Sequence, residues 1–146
     1  MAVDYYADWH DLSPHFAPEE IFSPDTIDKG RHVIDPEAII RLNEFRDALG
    51  VALFVNFASH RYRGVRSPVE QQRVQRWVPT AAELSMHVCG KAFDISSERM
   101  SPMELRTKAL EFGWHGVGLY DSFVHIDLRT LYSPNAITWD YRSGAK

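Results

Sequence analysis

The same helix-start pattern occurs three times in the chain and divides it into helical and non-helical segments. Asp35-Pro36-Glu37, Ser67-Pro68-Val69-Glu70 and Ser101-Pro102-Met103-Glu104 each place a capping side chain before a proline and an acid in the first turn. The cap accepts a backbone N–H, the proline lacks an N–H that would need a partner, and the acid faces the positive end of the helix dipole. The pattern predicts three helices, which end at Gly50, near Val78 and at Gly113.

Short apolar segments lie between and after these helices and are predicted to be strands. Val51–Phe57 is predicted as a buried strand, and the other candidates are Ala92–Ile95, Gly116–Tyr120 and Phe123–Leu128. Only Asp121-Ser122 separates the last two, so we expect an antiparallel hairpin. A further short helix is expected near Pro18. The order of elements predicts an α+β fold, with a small, largely antiparallel sheet flanked by helices.

The length of 146 residues suits one domain, residues 1–146, with an N-terminal arm (1–17) and a C-terminal tail (131–146). The net charge of −4 argues against a non-specific nucleic-acid binder. Residues 1–11 lack the basic start and apolar run of a signal peptide, and no apolar run could cross a bilayer. We therefore expect a protein made in the cytoplasm, with no nucleic-acid or membrane partner, which acts outside the membrane only if it is released or carried there. We also expect a monomer.

Two histidines and an aspartate are the candidate metal ligands. His87 and Asp94 are separated by Gly90, which allows a tight turn between a loop histidine and a strand aspartate. Alternate residues of a strand share a face, so His125 and Asp127 are expected opposite the apolar face of the last strand. Two imidazoles and a carboxylate suit zinc and leave a fourth position for water, as in catalytic sites. Cys89 lies between the first two ligands, but a lone cysteine is more commonly a buried small hydrophobe.

Three segments resemble the zinc D-Ala-D-Ala carboxypeptidase family. Ser85 to Asp94 matches the signature Ser-x-His-x-x-Gly-x-Ala-x-Asp, and residues 63–68, Arg-Gly-Val-Arg-Ser-Pro, resemble a Ser-Gly-Tyr-Arg-Ser-Pro stretch. Residues 116–120 and 123–127 resemble the C-terminal hairpin of that family. The likeness covers roughly residues 12–130 and is closest to short phage-type members. Relatives include L-alanyl-D-glutamate endopeptidases and the zinc-bearing domain of hedgehog proteins, so a hedgehog-like or DD-peptidase-like fold is implied.

The resemblance implies a role for each matching residue. His87, Asp94 and His125 correspond to the Zn²⁺ ligands. Arg66 corresponds to the arginine that holds a substrate carboxylate or polarises the scissile carbonyl, and Ser85 corresponds to a serine near the substrate. A guanidinium suits either task because it is permanently charged and donates two parallel hydrogen bonds.

The sequence departs from the family at the catalytic acid. Many relatives carry a carboxylate three residues before the last histidine ligand, where this chain has Ser122. Asp121 is the favoured general base, with Asp127 as the alternative base or as a partner that orients an imidazole. His115 and His60 are further alternatives. Without an acid at the water, the protein would bind zinc and cleave nothing.

Two functions follow as expectations. The first is a zinc metallopeptidase that hydrolyses peptidoglycan peptides, either as a D,D-carboxypeptidase or as an L-alanyl-D-glutamate-type endopeptidase. The second is a non-catalytic zinc-binding module, for example of a phage particle. The choice between carboxypeptidase and endopeptidase depends on the loops around residues 23–34 and 76–84, whose shape the sequence does not give.

Overall fold

The computed structural model describes residues 9–24, 26, 34–57, 60, 62–77 and 85–143. Within these ranges the chain forms five helices and four strands. The helices are α1 (Trp9–Leu12), α2 (Pro18–Ile21), α3 (Pro36–Leu49), α4 (Pro68–Trp77) and α5 (Pro102–Phe112). The strands are β1 (Ala92–Ile95), β2 (Gly116–Leu119), β3 (Val124–Asp127) and β4 (Ile137–Asp140). The α+β class is therefore confirmed.

The three long helices begin at the predicted caps. The carboxylate of Asp35 accepts the backbone N–H of Glu37 at 3.0 Å. At α5, Ser101 Oγ accepts the N–H of Glu104 at 3.2 Å, and the Glu104 carboxylate accepts the N–H of Ser101 in return. Ser67 and Glu70 form the same reciprocal pair at α4. No helix in the described part of the chain has the length and apolar character that a membrane span requires.

The four strands form one sheet in the order β1-β3-β2-β4. The pairs β1–β3 and β3–β2 are antiparallel, and β2–β4 is parallel. The register places Asp94, His125, Gly118 and Trp139 side by side across the sheet, one from each strand. A second row beside it contains Ala92, Asp127, Gly116 and Ile137. Both rows lie on one face, because each pair of residues in a strand is two apart.

The opposite face of the sheet packs into the hydrophobic core. The side chains on this face are buried and alternate along each strand with the residues of the two rows. They are Phe93, Ile95, Val117, Leu119, Val124 and Ile126. Leu105 and Ala109 of α5 belong to the same core. Trp114 lies edge-on to Phe45 and Phe93, with ring centroids 6.1 and 6.4 Å apart. This packing fixes the sheet, so that its other face can hold polar side chains in set positions.

The predicted strand at Val51–Phe57 is wrong. The segment contains only isolated bridges, from Phe54 to Ser96 and from Phe57 to His60. Asn56 connects it to two separate parts of the fold: its backbone N–H donates to the carbonyl of Glu20, and its side-chain carboxamide oxygen accepts from the N–H of Arg63. Because no single segment of the described chain runs alongside it, the run forms no ladder, although Leu53 and Val55 are buried in the core.

Both ends of the described chain are more ordered than the sequence predicts. The predicted N-terminal arm contains α1, in which Trp9 is buried and its indole N–H donates to the carbonyl of Phe16 at 2.7 Å. The first eight residues of the arm lie outside the described ranges. The predicted tail contains β4, which adds a parallel edge strand beside β2. The tail is therefore part of the sheet that carries the polar face.

Candidate metal centre

Asp94, His125 and His87 converge on the polar face of the sheet. Asp94 in β1 lies directly opposite His125 in β3, so the strand register alone brings them together. His87 lies in the turn before β1, which is closed by a hydrogen bond from the N–H of Lys91 to the carbonyl of Met86 at 3.0 Å. Gly90 has φ of 70° in this turn, a left-handed conformation that glycine adopts without strain.

The three side chains meet at one oxygen. Asp94 Oδ1 lies 3.2 Å from His87 Nε2 and 3.0 Å from His125 Nδ1. One ligand atom from each residue lies within 4.8 Å of the others, and all three residues are buried. Nitrogen and oxygen donors that converge in this way could hold a divalent metal ion, and the donor set suits zinc. Cys89 is half-buried and is not a member of this group.

The outer nitrogen of each imidazole has its own partner. His87 Nδ1 lies 2.9 Å from the carbonyl oxygen of Gly64, and His125 Nε2 lies 2.7 Å from Asp127 Oδ2. These acceptors would hold the proton on the outer nitrogen of each ring when a cation lies between the three side chains, which leaves the lone pair of each inner nitrogen for that cation. Metal-binding histidines almost always carry such a partner. The arrangement therefore fits a metal site better than a simple buried ion pair.

Asp127 is itself held by Arg129. Its carboxylate accepts from the Arg129 backbone N–H at 3.0 Å, from Nε at 2.9 Å and from Nη2 at 2.6 Å. Burial opposes ionisation, but the hydrogen bonds from His125 and Arg129 outweigh it and hold the pKa of Asp127 well below its usual range. Gly116 makes room for this group, since a Cβ there would lie 2.4 Å from the Asp127 oxygens. Asp127 is thus placed to orient His125.

The pKa values of the three candidate ligands are shifted in different directions. Burial opposes the charge of Asp94, but the nearby His87 and the hydrogen bonds with His125 hold its pKa well below the usual range. Burial lowers the pKa of His87, which favours the neutral form that binds metals. Burial acts in the same direction on His125, but its hydrogen bonds with Asp127 and Asp94 raise its pKa overall.

Arg66 and Ser85 contact the site from within the protein. Arg66 Nη2 lies 3.6 Å from Asp94 Oδ2, Nη1 donates to Gln71 at 2.9 Å, and Nε donates to the carbonyl of Tyr62. The guanidinium is therefore engaged on three sides by protein acceptors. Ser85 Oγ accepts the backbone N–H of His87 at 3.1 Å. Both residues fix the positions of candidate ligands.

The structure does not bring Asp121 to the three candidate ligands. Asp121 is exposed, and its carboxylate accepts from the backbone N–H and hydroxyl of Ser143 at 2.9 and 2.6 Å. His115 Nδ1 pairs with the carbonyl of Arg129 at 2.7 Å, and His60 packs against Phe57. Hydrogen bonds between these three residues and the candidate ligands do not occur in the described part of the chain.

Trp139 borders the site and was not predicted. Its ring lies against His125, with centroids 5.1 Å apart, and over Gly118, where a Cβ would lie 2.2 Å from Cε2 of the indole. Its N–H donates to the hydroxyl of Tyr120 at 3.1 Å. The alternation Gly116-x-Gly118 is the one sequence signal for this arrangement, because glycines on one strand face allow close approach of another group.

Comparison with known proteins shows a match to a family model. The peptidase M15 family model described as peptidoglycan L,D-endopeptidase MepK matches residues 16–132. No curated protein and no solved structure matches the chain. The match contains the three candidate ligands and confirms the family resemblance drawn from the Ser85–Asp94 signature. The chain belongs to this peptidase M15 family.

Proposed function

We propose that the protein is a zinc-dependent endopeptidase that hydrolyses amide bonds in peptidoglycan peptides. The observation that carries the proposal is the buried convergence of His87, Asp94 and His125, with the outer nitrogen of each imidazole already bound to an acceptor. Membership of a peptidase family whose model is described by a peptidoglycan activity supports the substrate class. The donor set of two imidazoles and one carboxylate supports zinc.

The chain's own residues fall into two groups in this proposal. His87, Asp94 and His125 would hold the ion, which when bound supplies a Lewis acid and lowers the pKa of water towards neutrality. The Gly64 carbonyl and Asp127 set the orientation of the two imidazoles. Such partners are expected to matter nearly as much as the ligands, because they fix the geometry of the inner nitrogens.

Asp121 is our proposed proton acceptor, and Asp127 our proposed positioning residue. Asp127 is buried and bonded to His125 and Arg129, whereas Asp121 is exposed and, among the described residues, accepts hydrogen bonds from Ser143 alone. Asp121 also directly follows Tyr120, whose side chain shares the polar face with Gly118. Asp121→Asn is expected to lower kcat by about a hundredfold or more, as for loss of a general base. Unchanged kcat in this variant would assign the base elsewhere.

We propose an L,D bond as the one that is cleaved. This rests on the description of the matching family model, which names an L,D-endopeptidase. The D,D-carboxypeptidase expected from the sequence resemblance is the competing outcome. The choice between an open groove and a closed pocket is expected to depend on the loops around residues 23–34 and 76–84. Most of these loops, residues 27–33 and 78–84, lie outside the described ranges.

The decisive experiment combines metal analysis with product analysis. The purified chain is expected to contain zinc and to cleave defined peptidoglycan stem peptides, with mass spectrometry of the fragments locating the bond. A chelator and His87→Ala should each abolish cleavage, and added zinc should restore only the chelated wild type. The matched control is His10→Ala, which removes an exposed histidine far from His87 in the sequence. Cleavage that survives both chelation and His87→Ala would contradict the proposal.

A non-catalytic zinc module is the second candidate. It is favoured by Ser122 at the position of the usual acid and by the pairing of Asp121 with Ser143. The same experiment separates the two functions, because such a module would retain zinc and leave every peptide intact.

A further inference from the structure

We infer that Arg63 forms an anion subsite beside the metal centre and recognises a carboxylate of the peptide substrate. This inference rests on the proposed peptidase function and names a residue that selects its substrate. Arg63 stands where the resembling family has a serine, so the subsite would be a property of this chain.

The backbone of Arg63 is joined directly to the candidate metal ligands. Its carbonyl oxygen accepts the backbone N–H of Asp94 at 2.6 Å. The next carbonyl along the chain, that of Gly64, holds the ring of His87. Two successive peptide groups therefore fix Arg63 at the edge of the site, and its side chain starts from a rigid position.

Two aromatic rings hold the side chain. Arg63 Cζ lies 4.5 Å from the ring centroid of Phe123 and 5.7 Å from that of Phe57. A guanidinium is attracted to the face of an aromatic ring, and the contact orders a side chain that would otherwise have many rotamers. The Phe123 ring is itself stacked on Tyr120, with centroids 4.4 Å apart. The guanidinium is thus preorganised without using its N–H groups.

Those N–H groups have no acceptor within the described part of the chain. Arg63 has no ion pair there, and its guanidinium contacts the two rings. Arg66, three residues later, is the opposite case, because its donors are bound to Tyr62, Gln71 and Asp94. Three of the five N–H groups of Arg66 are directed at protein acceptors, whereas Arg63 has its full set of N–H donors left for a ligand.

The charge of Arg63 also favours an anion. Burial lowers its pKa, and the carboxylate of Asp94 is the group that raises it. A cation bound by Asp94 would offset the negative charge that now faces Arg63, and the half-buried guanidinium would then lack a counter-charge. A peptide carboxylate fits this need, since it accepts two parallel hydrogen bonds from a guanidinium. Peptidoglycan stem peptides carry such groups within a few bonds of their amide linkages.

The test uses the zinc-loaded chain of 146 residues and a set of stem peptides in which one carboxylate at a time is converted to its amide. For the wild type, amidation of one carboxylate is expected to lower kcat/KM by about tenfold to a hundredfold, as for loss of a charged hydrogen-bonding partner. Arg63→Gln should lower kcat/KM for the free carboxylate to the same level and remove the penalty for amidation, with most of the change in KM. Arg63→Lys should recover part of the preference.

The controls separate recognition from folding. Arg63→Met keeps an apolar stem between the two rings, and it should behave as Arg63→Gln does while retaining zinc and the unfolding temperature. Arg41→Gln changes a half-buried arginine of α3 that pairs with Glu37, and it should leave the preference intact. An amidation penalty that persists in Arg63→Gln, or a wild type that discriminates against no amide, would overturn the inference.

Failure of the proposed peptidase function would give a different result. In that case no peptide is cleaved, and calorimetric binding of the same peptides to the zinc-loaded protein replaces kinetics. A loss of affinity on amidation that disappears in Arg63→Gln would support the subsite, and equal binding of all peptides by both proteins would overturn it.

Discussion

Replacing Asp127 with asparagine tests whether this residue orients His125 or takes part in proton transfer. Asp127 is fully buried and bonded to His125 and Arg129. The asparagine keeps the shape, but its one oxygen cannot serve both partners, so its NH₂ group must face a donor. A positioning role predicts a loss of zinc affinity of about tenfold to a hundredfold, which corresponds to about 1.4–2.8 kcal/mol. This agrees with about 1.5–3 kcal/mol for a hydrogen bond to a charged group.

Zinc affinity can be measured by competition with a chromophoric chelator at fixed pH. The chain contains a matched control, because Asp140 and Arg142 repeat the spacing and contacts of Asp127 and Arg129, with Arg142 Nη2 2.7 Å from Asp140 Oδ2. That pair is exposed, so Asp140→Asn should leave zinc affinity within about twofold. If Asp127→Asn instead bound zinc as the wild type does and lost only kcat, the positioning role would be refuted and the base role supported.

Two further predictions concern packing and capping. Gly118→Ala places a Cβ 2.2 Å from the Trp139 ring, so we expect the variant to displace β4. Its free energy of unfolding, measured by urea titration, should fall by about 1–3 kcal/mol. Wild-type stability of this variant would contradict the close packing. Ser101→Ala removes the cap of α5 and should cost about 0.5–2 kcal/mol in the same assay without changing zinc affinity. Ser133→Ala, at an exposed serine, is its control, and an equal loss in both would exclude a capping effect.

Local signals predicted the three long helices and the short helix near Pro18, and missed α1. The three cap patterns each specify a backbone hydrogen bond within a few residues, so the sequence contains everything needed to place them. The strands β1, β2 and β3 were also found, because each alternates between a core side chain and a side chain of the polar face.

Elements that depend on distant partners were missed. β4 is short, exposed on most of its length and paired in parallel with β2, and parallel pairing has no hairpin signal to reveal it. Val51–Phe57 has the composition of a strand, but its backbone partners come from several segments. Composition reports that a segment is buried and does not report which neighbour it meets.

The candidate site was likewise predicted in part. The resemblance to the family signature and hairpin indicated that His87, Asp94 and His125 belong together, and the structure brings their ligand atoms within 4.8 Å of one another. The spacing did not distinguish Arg66 from Arg63, because only the fold shows which guanidinium is already engaged by protein acceptors. The place of Trp139 beside the site was not predicted for a related reason. Trp139 meets Gly118 and His125 because β4 pairs with β2, and the sequence gives no sign of that pairing.

The pairing of Asp94 with His125 makes the candidate metal centre a test of correct strand alignment. A slip of β1 by one residue would turn Asp94 towards the core and bring an apolar side chain opposite His125. A misaligned sheet would therefore bind no ion, and an ion at a thousand times its dissociation constant would favour the aligned sheet by about 4 kcal/mol. The supply of metal would then affect the fraction of chains with a correctly aligned sheet as well as the chemistry of the folded protein.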